Sequence, residues 1–153
     1  MEGFDIDIDI ALCYAMGVEY KLVPQDWDGI IPALLARKYD AIIASMSITE
    51  ERKKKVAFTN KYYNTPAKFV CKKGACKDFT RAEVAEATAG KKIGVQRATI
   101  HDNFITDNGG EGVEIKRYAT QDEAYMDLKS GRVDMLVADS VAIDGGFLKK
   151  PEG

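Results

Sequence analysis

The sequence predicts an α/β protein with mostly parallel sheets flanked by helices. Short apolar runs of strand length alternate along the chain with helical segments of about 10–12 residues, the pattern expected of βαβ units. The composition, 46% hydrophobic and 30% charged residues over 153 positions, is that of an ordinary globular protein. This length suits one domain or two small lobes, and it is sufficient for a hydrophobic core that folds without the support of disulfides or bound metals.

The first half of the chain is predicted to contain three helices and two strands. Residues 4–10, FDIDIDI, alternate apolar and acidic side chains, which favours a strand, yet the apolar positions also fit a helical stripe that ends at Gly17. We predict a helix over 5–16 because Gly17 is a good C-cap. The other predicted elements are a strand over 19–24, a helix from 26 or 27 to 37, a strand over 39–45 and a short helix over 49–55.

The second half repeats the alternation more regularly. An extended segment leads into a strand over 68–71, and Gly131 closes one of the helices that follow. The remaining predicted elements are helices over 80–87, 99–108, 120–130 and 139–149, and strands over 92–96, 113–118 and 134–138.

Two segments resemble each other. ARKYDAIIAS at 36–45 and SGRVDMLVAD at 130–139 each join a helix end to an apolar run of strand length that is followed by a short polar residue. In open α/β sheets ligands bind at the carboxyl ends of the strands. The repeated pattern therefore predicts a ligand site at the carboxyl ends of these two strands.

Charge, hydropathy and cysteine content exclude several classes of protein. The formal net charge of −2 provides no basic surplus for nucleic acid. No apolar run is long enough to span a bilayer, and the first residues, MEGFDID, predict no signal peptide, so a product made as written would stay cytoplasmic. Cys71 and Cys76 either close a small loop or remain two thiols. We expect no metal or other cofactor, because the single histidine, His101, is not near either cysteine.

Four segments carry a resemblance to a known family: GFDIDI, QDWDGIIPALLARKYDAIIASMSITEERKKKVAFTNKYY, GKKIGVQRATIH and QDEAYMDLKSGRVDMLVADS. The chain resembles the polar amino-acid-binding proteins of bacterial ABC importers, which include lysine/arginine/ornithine- and histidine-binding proteins. The run at 40–52 is the most specific part. The resemblance implies an incomplete, two-lobed, type II periplasmic-binding-protein fold, with residues 1–68 as a partial first lobe and 69–153 as a second lobe that lacks its closing strand.

The same resemblance implies ligand-binding residues in the first lobe. Arg52 matches the arginine that binds the ligand carboxylate, and Ser45, Met46 and Ser47 lie in the matching pocket segment. Trp27 matches an aromatic residue that stacks on the ligand side chain. Without the resemblance, Arg52 is one more cation in a solvated run, the serines are turn residues, and Trp27 is a core residue.

In the second lobe the resemblance points to the ends of two strands. Thr99 and Ile100 stand at a helix N-terminus, which suits an anion, although Ile100 replaces a hydroxyl residue usual in the family. Asp139 matches the acid that pairs with the ligand ammonium, and it is also a candidate N-cap. Gln96 borders the pocket and is expected to affect selectivity. Arg52 and Asp139 are then expected to face each other across a cleft.

The function expected from the resemblance is non-catalytic binding of a free polar or cationic amino acid between two lobes, with an ABC permease as partner and a periplasmic location. Family members extend beyond both ends of this sequence, so the chain is expected to be a truncated form that binds weakly or not at all as an isolated monomer. One alternative is a vestigial module that forms a homodimer or domain-swapped dimer through exposed sheet edges. The other, disfavoured, is a dehydratase of the same fold.

Overall fold

The computed structural model describes residues 2–149. Contacts between Cα atoms divide the chain into two compact units, Met1–Lys61 and Tyr62–Gly153. This division falls a few residues before the lobe boundary expected at 68/69. Residue 1 and residues 150–153, which the predicted lobes include, lie outside the described residues. The identification of the two units with two lobes stays a prediction.

The first unit is built from short helices. Helix α1 (Phe4–Met16) ends at Gly17, whose φ of +67° is left-handed and whose N–H donates to the Tyr14 carbonyl at 3.2 Å. A 3-10 turn, Trp27–Gly29, continues into α2 (Ile30–Leu35), and α3 spans Glu50–Lys53. The three helices predicted for this half are therefore confirmed, each within a few residues.

The two strands predicted for the first unit, over 19–24 and 39–45, are wrong. Both segments are irregular backbone, and the sheet formed by the described residues lies wholly in the second unit. A strand is held by hydrogen bonds to a neighbouring strand, so an apolar pattern alone does not create one. Within residues 2–61 no other strand pairs with either segment.

The first unit has little core of its own. Among its described residues only Cys13 and Ala33 are buried. Large apolar side chains of α1 remain accessible, among them Leu12 at 51%, Tyr14 at 89% and Met16 at 64% of their full exposure. An apolar surface of this kind on a small unit is typical of a region that packs against further protein.

The second unit contains a four-stranded mixed sheet. Its strands are β1 (Ala67–Cys71), β2 (Lys92–Gln96), β3 (Glu114–Tyr118) and β4 (Met135–Asp139), in the order β1-β4-β2-β3. Strand β2 runs parallel to β3 and β4, whereas β1 is antiparallel to β4. The four strands predicted in this half are confirmed, and the sheet is parallel except at the β1 edge.

Helices cover both faces of the sheet. A 3-10 turn, Arg81–Glu83, leads into α4 (Val84–Thr88), and the later helices are α5 (Ile100–Asn108), α6 (Gln121–Ser130) and α7 (Ser140–Ile143), the last continuing as a π-helical turn over Asp144–Leu148. Capping boxes open the first of these segments and α6: Thr80 pairs with Glu83, and Thr120 with Glu123. Each box satisfies backbone N–H groups that a helix start leaves unpaired.

Strand β4 separates two halves of the core. Met135 and Val137 point to one face, where they pack with residues of α4, α5 and β2. Leu136 and Ala138 point to the other, where they pack with residues of α6 and α7. Since successive side chains of a strand alternate, a strand covered on both faces is apolar throughout, which explains the run MLVA.

Cys71, the last residue of β1, forms a disulfide with Cys76, and their Cα atoms are 6.3 Å apart. Of the two alternatives that the sequence left open, a closed loop or two free thiols, the structure therefore shows the closed loop.

No helix within residues 2–149 combines the length and the apolar character that crossing a membrane requires.

Candidate functional site

Arg52 contacts two other predicted site residues of the first unit. This residue lies in α3, which begins where the Thr49 hydroxyl accepts a hydrogen bond from the Arg52 N–H at 3.2 Å. The Arg52 Nη1 donates to the Ser47 carbonyl at 2.9 Å. Its Cζ lies 5.7 Å from the centre of the Trp27 ring. Three of the five predicted residues, Trp27, Ser47 and Arg52, are thus in one cluster.

The guanidinium of Arg52 is half-buried, and burial lowers its pKa while the adjacent Glu51 carboxylate opposes that shift. An arginine remains protonated at neutral pH despite a shift of this kind. The carbonyl contact and the Trp27 ring fix the direction of the side chain, and the ring face attracts the cation. Such a group is a positioned, planar donor suited to a carboxylate.

Ser45 and Met46 occupy the segment before Ser47 and are both half-buried. The Ser45 hydroxyl donates to Asp5 Oδ2 at 2.7 Å, and its φ of +50° is left-handed, a rare state for a residue with a side chain. Asp5 was not among the predicted site residues. An acidic residue in the first turn of a helix is common, because it interacts favourably with the helix dipole. The neighbouring sequence therefore gave no sign that Asp5 hydrogen-bonds Ser45.

In the second unit, Asp139 stands at the carboxyl end of β4. Its Oδ1 accepts hydrogen bonds from the Thr65 hydroxyl and from the Val141 N–H, each at 2.9 Å. The second bond makes Asp139 the N-cap of α7, so the N-cap role predicted for Asp139 is confirmed. The other carboxylate oxygen, Oδ2, has no hydrogen-bond partner among the described residues. It is therefore an acceptor at the edge of the sheet where parallel strands end.

Gln96 and Thr99 lie at the same edge, because β2 is parallel to β4 and adjacent to it. The Thr99 hydroxyl accepts from the Asp102 N–H at 3.1 Å as the N-cap of α5 and donates to the Gln96 carbonyl at 2.8 Å. The Gln96 Nε2 donates to the Ala119 carbonyl at 3.2 Å. Ile100 is the first residue of α5 and is partly exposed.

The predicted residues of the second unit thus gather where β2 and β4 end, and Thr65 was the residue missed there. Its hydroxyl lies 2.6 Å from the Ser140 Oγ and also bonds Asp139. Only the antiparallel register that pairs Ala67 with Asp139 brings it to this edge. Within the described residues no group of three or more potential metal-binding side chains occurs.

Comparison with known proteins places the chain in a family. Residues 1–92 match the model of the bacterial extracellular solute-binding proteins, family 3. The chain is 51% identical over 154 residues to the L-arginine-binding protein of Pseudomonas aeruginosa, covering 100% of this chain and 58% of that protein. It is 38% identical over 152 residues to the lysine/arginine/ornithine-binding periplasmic protein of Escherichia coli, covering 99% of this chain and 57% of that one.

The fold agrees with this relationship. A solved structure of an ancestral arginine-binding protein bound to glutamine superimposes with a TM-score of 0.87 at 39% identity, over 97% of this chain and 64% of that one. The chain therefore spans less than two thirds of the length of these relatives. With most of its length matched by the family model, this chain belongs to the bacterial extracellular solute-binding proteins of family 3.

Proposed function

We propose that the chain binds a cationic L-amino acid, L-arginine first, without chemical conversion, as part of the substrate-binding component of an amino-acid ABC importer. The observation that carries the proposal is the Arg52 guanidinium, oriented by the Ser47 carbonyl and the Trp27 ring. The names of the relatives, which include arginine- and lysine/arginine/ornithine-binding proteins, supply the choice of ligand.

The first unit would recognise the α-carboxylate. A guanidinium donates two parallel N–H groups to a carboxylate, and each charge-assisted hydrogen bond contributes about 1.5–3 kcal/mol. Trp27 would add its ring face, which suits both the Arg52 cation and a cationic ligand side chain. Ser45, Met46 and Ser47 supply the neighbouring backbone and hydroxyl groups.

The second unit would recognise the α-ammonium. Asp139 presents Oδ2 while Thr65 and the Val141 N–H fix Oδ1, so the carboxylate is oriented before any ligand arrives. Thr99, Ile100 and Gln96 complete this edge. Pre-oriented groups improve affinity because their conformational freedom is already lost.

The proposal treats the chain as a binding protein rather than an enzyme. Proton transfer in a dehydratase would require a general acid and base directed at the substrate. Asp139 is engaged as a helix cap, and Arg52 is too basic to exchange protons at neutral pH. Incubation with prephenate or arogenate, followed by ultraviolet absorbance, should leave both substrates unchanged, and turnover would overturn this part.

A periplasmic location and a permease partner complete the proposal. The Cys71–Cys76 disulfide supports an oxidising compartment, since such bonds are rare in the bacterial cytoplasm. Thiol titration of the protein recovered from its native cells should find Cys71 and Cys76 oxidised and Cys13 reduced, the state of the described cysteines here. Two further reactive thiols would contradict the assignment.

We also propose a homodimer as the state of the isolated chain. The exposed apolar side chains of α1 favour association with a second copy, and β1 and β3 are the outer strands of the sheet. Sedimentation at tens of micromolar should give twice the mass of the 16.9 kDa chain. A clean monomer would exclude this state and leave the ligand proposal untouched.

The ligand proposal is tested by NMR titration of the 15N-labelled chain with L-arginine up to about 10 mM. That concentration detects binding even when the binding free energy is only about −4 kcal/mol, a Kd of about 1 mM. We expect saturable shifts at the Trp27 indole, Arg52, Thr99 and Asp139. Arg52→Lys keeps the charge but lacks the two-donor fork, and it should weaken binding about tenfold. The matched control is Lys54→Ala, which removes an exposed cation of the same run.

Unchanged spectra at the highest concentration would refute the proposal. Equal weakening by Arg52→Lys and Lys54→Ala would also refute it, because the two-donor fork of Arg52 would then matter no more to binding than an exposed lysine of the same run. Titration with L-lysine, L-histidine and L-glutamine separates a preference for cationic side chains from general amino-acid binding.

A further inference from the structure

We propose that Asp102 is a positioning residue: together with Arg117, it holds the loop 96–99 in the conformation that the ligand site uses. This inference rests on the proposed function, because that loop carries Gln96 and Thr99. Asp102 lies in the first turn of α5, and Arg117 lies on β3. Neither residue was identified from the sequence.

The loop contains a residue in an unfavourable conformation. Ala98 has a φ of +60°, in the left-handed region that favours glycine. For a residue with a Cβ this state is disfavoured by about tenfold or more. Interactions with the rest of the unit must therefore favour this conformation. Backbone hydrogen bonds from the N–H groups of Ala98 and of its neighbour Arg97 do so.

Asp102 supplies the interaction at Ala98 itself. The Ala98 N–H donates to Asp102 Oδ2 at 3.3 Å. On the other side, the Arg97 N–H donates to the Tyr118 carbonyl at 2.9 Å, which ties the loop to the end of β3. The loop is thus held between α5 and β3.

Arg117 fixes Asp102. Its Nε donates to Asp102 Oδ1 at 2.8 Å, and its Nη2 donates to the Thr106 hydroxyl at 2.8 Å, one turn further along α5. Asp102 is only 8% exposed, so its charge requires a partner of this kind. The ion pair joins α5 to β3, the same two elements that hold the loop.

Both oxygens of Asp102 therefore accept hydrogen bonds from N–H donors, and this makes Asp102→Asn informative. An amide has one oxygen and one NH2 group, so either orientation sets a donor against the Ala98 N–H or against Arg117. The variant keeps the shape of the side chain and loses one of the two interactions. The left-handed state of Ala98 then loses either its hydrogen bond to residue 102 or the ion pair that fixes that residue.

The experiment combines amide hydrogen exchange with L-arginine affinity. In Asp102→Asn we expect the amides of residues 97 and 98 to exchange about tenfold faster and the affinity for L-arginine to fall about tenfold. The matched control is Asp107→Asn, which removes an exposed carboxylate from the same helix and should change neither quantity.

Ala98→Gly provides the decisive rescue. Glycine adopts positive φ readily, so Ala98→Gly combined with Asp102→Asn should restore the affinity and the protection of the amide at 97 to within about twofold of the parent. A merely structural role of Asp102 predicts no rescue by a change at position 98. Arg117→Lys, which keeps the charge but not the paired donors, should produce a smaller change in the same direction and serves if Asp102→Asn does not fold.

Exchange rates in Asp102→Asn equal to those of the parent, or a double variant no better than Asp102→Asn alone, would overturn the proposal. Faster exchange without any loss of affinity would also overturn it, because the loop would then be irrelevant to binding. If the parent chain binds no L-arginine, the proposed function fails, and the exchange rates still decide whether Asp102 holds the loop.

Discussion

Replacing Thr65 with valine tests how the Asp139 carboxylate is oriented. The two side chains have nearly the same shape, so Thr65→Val removes the hydroxyl without opening a cavity. That hydroxyl bonds Asp139 Oδ1 at 2.9 Å and lies 2.6 Å from the Ser140 Oγ. Asp139 would keep only its bond from the Val141 N–H, and Ser140 would lose a partner while 7% exposed.

The expected loss follows from these two bonds. A hydrogen bond to a charged acceptor contributes about 1.5–3 kcal/mol, and an unsatisfied buried hydroxyl costs about 1–3 kcal/mol. Thr65 is half-buried, so the lower ends apply, and we expect the free energy of unfolding to fall by about 2.5 kcal/mol. For a chain of this size that change lowers Tm by about 5–10 °C.

Thermal unfolding followed by circular dichroism measures the change, and Thr65→Ser is the matched control. Serine keeps the hydroxyl and loses only a methyl group, so it should retain most of the stability. A Tm for Thr65→Val within about 1 °C of the parent would refute the reasoning. So would a Thr65→Ser variant that is destabilised as much as Thr65→Val.

Three further substitutions probe the second unit. Gly110→Ala should destabilise it by about 3 kcal/mol or leave it unfolded, because the new Cβ would overlap the Ala85 carbonyl; a normal melting curve would contradict this. Ile105→Ala should cost about 2–5 kcal/mol in urea unfolding, since Ile105 is wholly buried, and a loss below 1 kcal/mol would contradict it. Asp127→Asn should lower Tm at pH 7, because the hydrogen bond from Arg132 holds the pKa of Asp127 below its usual value. Such a carboxylate stabilises the folded state above its unfolded pKa of about 3.9 and loses that effect as the pH falls, so the Tm difference should close below about pH 4, and a constant gap would contradict the assignment.

The sequence was sufficient for elements whose signals are local. Gly17 and Gly131 predict the ends of α1 and α6, and both helices end there. Each signal works because a glycine in the left-handed conformation lets the chain satisfy backbone groups of the last helical turn. No knowledge of the rest of the fold is required.

The two similar segments, 36–45 and 130–139, differ in whether they form a strand. SGRVDMLVAD forms β4 because β1 and β2 lie on either side of it, whereas ARKYDAIIAS, with much the same pattern, has no paired strand within residues 2–61. Strand formation depends on a partner that is distant in sequence. A single segment therefore does not contain the information.

The same distinction applies to the candidate site. The family resemblance predicts Arg52 and Asp139 as ligand-binding residues, and the structure shows the groups that contact them. Thr65 reaches Asp139 only through the strand register, and Asp102 supports Ala98 only through a helix turn fixed by Arg117. These supporting residues carry no chemical motif, since a threonine or an aspartate is common in any loop or helix start.

The central claim is that Arg52 binds the carboxylate of an amino acid and Asp139 its ammonium group. The most direct measurement is a double-mutant cycle that compares L-arginine with its methyl ester and with the analogue lacking the α-amino group. We predict that the parent loses affinity for both analogues. Arg52→Lys, which keeps the charge but lacks the two-donor fork, should lose less affinity on esterification than the parent does, and Asp139→Asn should become insensitive to loss of the amino group. If each variant remains as sensitive to its matching deletion as the parent, the claim is contradicted.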